Sequence, residues 1–308
     1  MKYIQQNNNS LVFNTNGDSV VTVNFQSNLV TKTYFLPDVT KELDRSRTNQ
    51  HFHQLQFLER IGIKIPDKLK TDKNHSEITM SYIEGGTFSE KLSINPDCAE
   101  ELLAMSGIDL ANIHSKLERE EKRIKSILIK DKNLNYHNAQ NFINFTCKLA
   151  KTDVFKNPDN KFERDFTSMV SSTELVLKEH TELLSEGDII FGDFKPENIL
   201  FCETDNQLVF IDPMLSNCRK SCDLGKFLSR MLLFDRENFI RNSDIFLRNY
   251  FSCNRKTISV NEIMIMTACD LLNYTSRNLM LERKGEIFVE KSKLSPILND
   301  FLPEILFR

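Results

Sequence analysis

The residues best suited to chemistry in this chain stand in the stretch GDFKPENILFCETDNQLVFID, where Asp193, Lys195, Asn198 and Asp212 fall close together. Asn198 follows Asp193 by five residues, and Asp212 lies fourteen beyond Asn198, across what reads as a short hairpin. Phosphoryl transfer has a loose transition state, so a protein that catalyses it has chiefly to position an acceptor hydroxyl and neutralise phosphate charge. These four residue types supply that. Asp193 would accept or orient the acceptor's proton, and Lys195 would meet the transferred group as a point charge. Asn198 and Asp212 offer hard oxygens to Mg2+, which bridges the phosphates. The plainer reading is a polar hairpin with a capping Asp and a turn Asn. The pattern D-x-K-P-x-N between two strand-like runs is more particular than that reading needs.

Glycine usage removes two other routes to nucleotide binding. Only nine glycines occur, and neither GxGxxG nor GxxxxGK[ST] can be written with them. The charges nearly cancel, 40 Lys+Arg against 43 Asp+Glu, which speaks against nucleic acid as the main partner. No uninterrupted apolar run reaches the length of a membrane-spanning helix, so no membrane partner is expected. Seven cysteines and an opening MKYIQQNNNS without signal-peptide character read as cytoplasmic and reduced. Cys218 and Cys222 have no nearby second pair to complete a zinc site, and His51 and His53 are set to lie on opposite faces.

The elements that must position the four residues follow from the hydrophobic period. Residues 10–35 form three β-branched, aromatic-rich runs split by turn residues, an antiparallel meander. Helical spacing runs from about Val39 to Ile61, with Leu43, Phe52, Leu55 and Leu58 on the stripe and Gly62 ending it. EITMSYI (77–83) is a further strand, and Gly85-Gly86 a bend through which the chain leaves. From Asp97 the text is mostly helical, with Leu102, Leu103, Leu110, Ile113 and Leu117 on one face. Further amphipathic helices flank the polar break KNPDNK. DIIF, ILFC and LVFID form a β island around the chemical residues, and EIMIMTACDLLNY reads as a buried helix. The division expected is a small β-rich lobe over residues 1–84 and a mainly helical lobe over 85–308, an α+β architecture.

GDFKPENILF, LVFIDP and CDLGKFL together resemble the catalytic segment of the aminoglycoside phosphotransferase and choline kinase-like superfamily, and D-x-K-P-E-N also looks like the protein Ser/Thr kinase version. The resemblance spans roughly residues 10 to 230 and is most specific in the second half. It implies a two-lobed protein kinase-like fold with ATP and Mg2+ as cofactors. It also implies that Lys32, in LVTKTYF, binds the α- and β-phosphates; read alone, Lys32 would be an edge-strand lysine facing water. Met80-Ser81-Tyr82-Ile83-Glu84-Gly85 resembles the hinge that holds the base, with Ser81 C=O and Ile83 N–H bonding adenine. Asn14 to Asp18 would form the loop over the phosphates.

Three departures stand against the family pattern. Phe191 precedes Gly192-Asp193 where these families usually carry His. The helix that should offer Lys32 a Glu partner aligns with His51 or its neighbours, while Glu42 and Glu59 are displaced. Asp212 is followed by Pro213, not Phe-Gly, and the DLG helix starts only eleven residues on with no Ala-Pro-Glu segment, which favours small molecules over proteins as acceptors. The expected partner is therefore a small-molecule hydroxyl acceptor of aminoglycoside, sugar or amino-alcohol type. A catalytically weak nucleotide-binding pseudokinase, or a kinase-like regulator that modifies proteins, is the alternative. A cationic acceptor would draw on Asp223, Asp235, Glu237, Asp244, Glu262 and Asp270, although interleaved Arg and Lys give that set the look of a solvated surface.

Overall fold

A computed structural model describes residues 2–7, 10–15, 19–35, 42–94, 98–128, 138–152, 161–185, 187–254, 258–283, 285 and 291–303. They fall into two compact units, Met1–Ile94 with Glu197–Met214, and Asn95–Pro196 with Leu215–Arg308.

The first unit is built on a six-stranded antiparallel sheet in the order β1-β2-β3-β4-β6-β5: β1 Lys2–Asn7, β2 Ser10–Thr15, β3 Ser19–Asn24, β4 Leu29–Tyr34, β5 Lys70–Thr71 and β6 Glu77–Ser81. The meander matches the three expected runs. β1 is an addition, because KYIQQN has neither the alternation nor the β-branched content that marks a strand in sequence. Helix α1 (Arg45–Arg60) starts later than the apolar period suggests, since the Asp44 side chain caps it by accepting from Arg47 N at 2.9 Å. Leu43 instead bridges to Phe35. Leu55 and Leu58 of α1 are fully buried, each contributing about 1.5–3 kcal/mol of hydrophobic stabilisation.

The segment after residue 84 groups differently from the division at that residue. Gly85 has φ 141° and a Cβ there would lie 2.0 Å from Phe201 O, so only glycine fits this close approach. Phe201 N donates to Gly86 O at 3.0 Å, and helix α2 (Phe88–Ile94) follows within the same unit. The hairpin of β8 (Ile199–Cys202) and β9 (Gln207–Phe210) therefore packs with the first unit. Phe210 N donates to Lys64 O at 3.0 Å in that packing.

The second unit is mainly helical. Its helices include α3 (Ala99–Arg119), α4 (Glu121–Leu128), α5 (Asn138–Asn141, continuing through Phe142–Cys147 to Lys148–Ala150), α6 (Lys161–Glu179), α7 (Ser221–Phe234), α8 (Phe239–Cys253) and α9 (Val260–Arg283). α3 packs on α8 and α7 on α9. The apolar stripe of α3 is buried as its period requires, and α9 buries Ile263, Met266, Leu271 and Leu272. β7 (Asp188–Ile190) pairs antiparallel with β10 (Ser216–Cys218), a strand too short and polar to show in sequence. Among the described residues no helix is long and apolar enough to cross a membrane.

Candidate active site

In the first unit, Lys32 stands on β4 between β3 and β6, opposite Val21 and Ile78. It is therefore an interior strand lysine, 7% exposed, rather than the edge lysine facing water that isolated sequence would suggest. Its ammonium donates to Asp212 Oδ2 at 2.5 Å. Burial alone would lower the Lys32 pKa; the Asp212 carboxylate, helped by Tyr34, outweighs it and holds the ammonium well above the ordinary lysine range. Asp212 itself sits at φ 54°, a left-handed conformation uncommon outside glycine.

His51 completes this cluster from α1. Its Nδ1 lies 2.6 Å from the Tyr34 hydroxyl, and its Nε2 lies 3.6 Å from Asp212 Oδ1 with no hydrogen-bond partner among the described residues. Burial pushes the imidazole pKa down to about 3 and the Tyr34 phenol up to about 12. The phenol therefore keeps its proton and the imidazole is neutral, joined by one hydrogen bond at Nδ1, with Nε2 turned toward Asp212. Arg47 lies over the other partner, 4.6 Å from the Tyr34 ring centroid. His53 and Glu59 of the same helix are exposed. The helix face toward Lys32 thus carries a neutral imidazole rather than a carboxylate.

Asn198 ends a 3-10 turn (Pro196–Asn198), is 6% exposed, and its carbonyl accepts from Ile211 N at 3.0 Å, which ties it to the residue before Asp212. Met80 is a buried residue of β6 paired with Val30. Ser81 N donates to Asp67 O at 2.8 Å and Tyr82 N to Asn28 O at 3.1 Å, so both N–H groups flanking the nominated Ser81 C=O are engaged; Ile83 is half-buried. Of the nominated phosphate loop, Asn14 and Thr15 end β2, while 16–18 lie outside the described residues.

In the second unit the loop after β7 carries Asp193 and Lys195. Phe191 N and Gly192 N donate to Asp223 Oδ2 and Oδ1, both at 2.8 Å. Gly192 takes φ 85°, which lets the chain turn so that both N–H groups reach one carboxylate. Asp223 is fully buried, and His114 Nε2 of α3 lies 3.0 Å from its Oδ2. His114 Nδ1 is in turn 2.9 Å from the Tyr250 hydroxyl. Phe191 and Phe194 are buried at 6.0 Å between ring centroids, and Phe194 continues to Phe227 at 5.6 Å. Phe191 is thus an apolar anchor of the loop, and the imidazole near it comes from α3.

Between these anchors Asp193 is held by two ammonium groups. Lys195 donates to Oδ2 at 2.8 Å and Lys226 of α7 to Oδ1 at 2.9 Å. Burial would raise the Asp193 carboxyl, but the paired lysines more than reverse it and keep it far below the usual carboxylate range. Asp193 is therefore a fixed anion suited to orienting a hydroxyl. Lys226 also lies 3.9 Å from Asp270 Oδ1, and Arg230 Nη2 lies 3.5 Å from Asp270 Oδ2.

Sequence reasoning nominated neither Lys226 nor His114. Signals for both were present. Lys226 follows Asp223 by three residues, on the same helix face, and His114 falls on the apolar stripe between Leu110 and Leu117, where a polar ring must find a partner.

No family model matches the chain, and no curated protein matches it by sequence. Solved structures do match along nearly the whole length. The aminoglycoside phosphotransferase APH(2")-IIia, in a complex with GDP and kanamycin, aligns with TM-score 0.62 at 13% identity, covering 97% of this chain and 93% of that one. The choline kinase LicA from Streptococcus pneumoniae aligns with TM-score 0.59 at 15% identity, covering 96% and 94%. An ethanolamine kinase from Plasmodium vivax aligns with TM-score 0.56 at 12% identity, covering 96% and 83%. The fold is a protein kinase-like one. It is the fold shared with these aminoglycoside phosphotransferase, choline kinase and ethanolamine kinase structures.

Proposed function

We propose that this chain is an ATP- and Mg2+-dependent phosphotransferase that moves the γ-phosphate to a hydroxyl of a small molecule. The observation that carries this reading is the Lys32–Asp212 pair: two residues 180 positions apart, assigned from sequence to phosphate and metal, meet at 2.5 Å. The likeness in fold to aminoglycoside, choline and ethanolamine kinases supports the same reaction class.

On this reading the first unit supplies the nucleotide side. Ser81 and Ile83 offer backbone groups to adenine beside Met80, and Lys32 meets the α- and β-phosphates. Asn198 and Asp212 would offer one amide oxygen and one carboxylate, a hard-oxygen set that fits Mg2+. Bound there, Mg2+ would neutralise charge building on the phosphates. Lys32 would then exchange part of its contact with Asp212 for the phosphates.

The second unit supplies the acceptor side. Asp193 would accept a hydrogen bond from the acceptor hydroxyl and orient its oxygen for attack on the γ-phosphorus. The new O–P bond forms as the bond to the β,γ-bridging oxygen breaks, ADP leaves, and the hydroxyl proton is shed late, first onto Asp193. A carboxylate so strongly acidified is a weak base, and a loose transition state needs only a weak one. Lys195, bonded to Asp193, stands ready to meet the transferring phosphoryl.

The test combines binding and turnover. MgATP should raise the melting temperature of the purified protein more than ATP with chelator. An acceptor panel should then contain alcohols that accelerate ADP release in wild type and not in Asp193→Asn. Binding without any acceptor-dependent turnover would favour the pseudokinase alternative, to which the neutral His51 beside Lys32 lends its one specific support.

A further inference from the structure

We infer that the acceptor is an anionic alcohol, one that carries a carboxylate or a phosphate besides the hydroxyl to be phosphorylated, and that Lys226 and Arg230 read its negative charge. This rests on the phosphotransferase reading above and names the substrate class for the same site.

The argument starts from which charges the acceptor would meet around Asp193. Both carboxylate oxygens are already bonded to ammonium groups, Lys195 on one and Lys226 on the other. A cationic acceptor brought to this residue would face two lysines at contact distance. Four residues on from Lys226, on the same face of α7, stands Arg230. It packs over Tyr274, its guanidinium carbon 4.1 Å from the ring centroid. Arg230 faces one carboxylate, Asp270, at 3.5 Å from Nη2, and the Ser229 hydroxyl already donates to the same Asp270 Oδ2 at 2.5 Å. Arg230 Nε is buried and has no hydrogen-bond partner among the described residues. A guanidinium stacked on an aromatic ring, its side chain 12% exposed, keeps a fixed positive charge beside Asp270 that suits a carboxylate or phosphate.

Of the carboxylates that a cationic acceptor would need, Glu237 is exposed and the others have protein partners. Asp223 is fully buried and holds the loop. Glu262 takes both Arg219 Nε at 2.6 Å and Arg219 Nη2 at 3.0 Å, and also the Ser221 hydroxyl. Asp244 pairs with Arg248 on its own helix. Asp235 accepts from Asn238 and Asn242. Among the described residues, the cations paired with Asp193 and Asp270 are three, Lys195, Lys226 and Arg230, against these two anions.

The experiment uses the full chain with MgATP and matched alcohols: glycerate and glycerol phosphate as anions, glycerol as the neutral form, and ethanolamine, choline and kanamycin as cations. ADP release is read against Asp193→Asn. We expect kcat/KM for at least one anionic member to exceed that for glycerol and for every cation by about ten-fold or more, the two anions separating carboxylate from phosphate recognition. Arg230→Gln should remove most of that preference through KM, Arg230→Lys should retain part of it, and circular dichroism should show both variants folded. A faster cationic or neutral acceptor overturns the inference, as does a preference unchanged in Arg230→Gln, or MgATP binding with no anionic member above the blank. Failure to bind MgATP at all would instead overturn the phosphotransferase reading on which it rests.

Discussion

Lys32 Nζ and Asp212 Oδ2 form an ion pair at 2.5 Å, one partner 7% exposed on an interior strand and the other in a left-handed backbone conformation beyond β9. The sheet fixes the ammonium, while the hairpin delivers the carboxylate at an unfavourable φ that its surroundings must maintain. A pair so arranged fits a place where two charges are kept ready for a third group. Lys32→Met should therefore affect binding more than folding. We expect MgATP affinity to fall by about ten-fold or more, and stability by about 1–3 kcal/mol, since the Asp212 side chain is 32% exposed. Calorimetric titration and urea unfolding measure the two separately.

His51 gives the first unit an acid sensitivity. Its folded pKa, about 3, lies below the ordinary value of 6.5 because the ring is buried. Between those values the unfolded chain binds a proton that the folded chain refuses, so stability rises with pH across that window. The slope approaches about 1.4 kcal/mol per pH unit for one proton. Stability measured from pH 4 to 7 should be steeper in wild type than in His51→Gln. Equal slopes would mean that the imidazole is not buried neutral.

Asp193 has the same sign in a lower pH window. Its folded pKa is depressed, so its stabilising contribution is complete above the unfolded value of about 3.9 and is lost only as pH falls through the lower folded value. The acid limb of kcat/KM should accordingly carry no Asp193 ionisation near neutrality. Removing one ammonium leaves burial less opposed, so Lys226→Met should move an acid limb upward in pH and lower kcat. A pH–rate profile of both proteins decides this.

Asp223 accepts the Phe191 and Gly192 N–H groups while His114 stands 3.0 Å away, all buried. Asp223→Asn places an amide NH2 where only acceptors fit. The change should destabilise by about 2–4 kcal/mol. It should also speed hydrogen exchange at the 191 and 192 amides, and it should lower kcat more than it raises the KM for ATP.

Legibility in the sequence tracked how local each signal was. Asp193, Asn198 and Asp212 stand within one short stretch of sequence, so spacing alone set them in a chemical pattern, and the β-branched period of residues 10–35 marked the strands that carry Lys32. The burial of Lys32 was hidden, because one strand's text does not say which strands flank it. Lys226 and His114 were hidden for a related reason: each acts through a partner 33 and 109 residues away, a distance set by helix packing. β1 and β10 lacked any hydrophobic period to betray them. The bend at Gly85 read as an exit from the lobe, whereas its positive φ serves a close approach to Phe201.

The central claim is phosphoryl transfer oriented by Asp193, and the most direct measurement follows the γ-phosphate. Protein, magnesium and γ-labelled ATP are incubated with the alcohol panel, and the label is traced in wild type and in Asp193→Asn. The account predicts label on a small-molecule alcohol in wild type and a loss of at least about a hundred-fold in the variant. Label that stays on ATP, that appears on protein instead, or that transfers equally well in Asp193→Asn would contradict it.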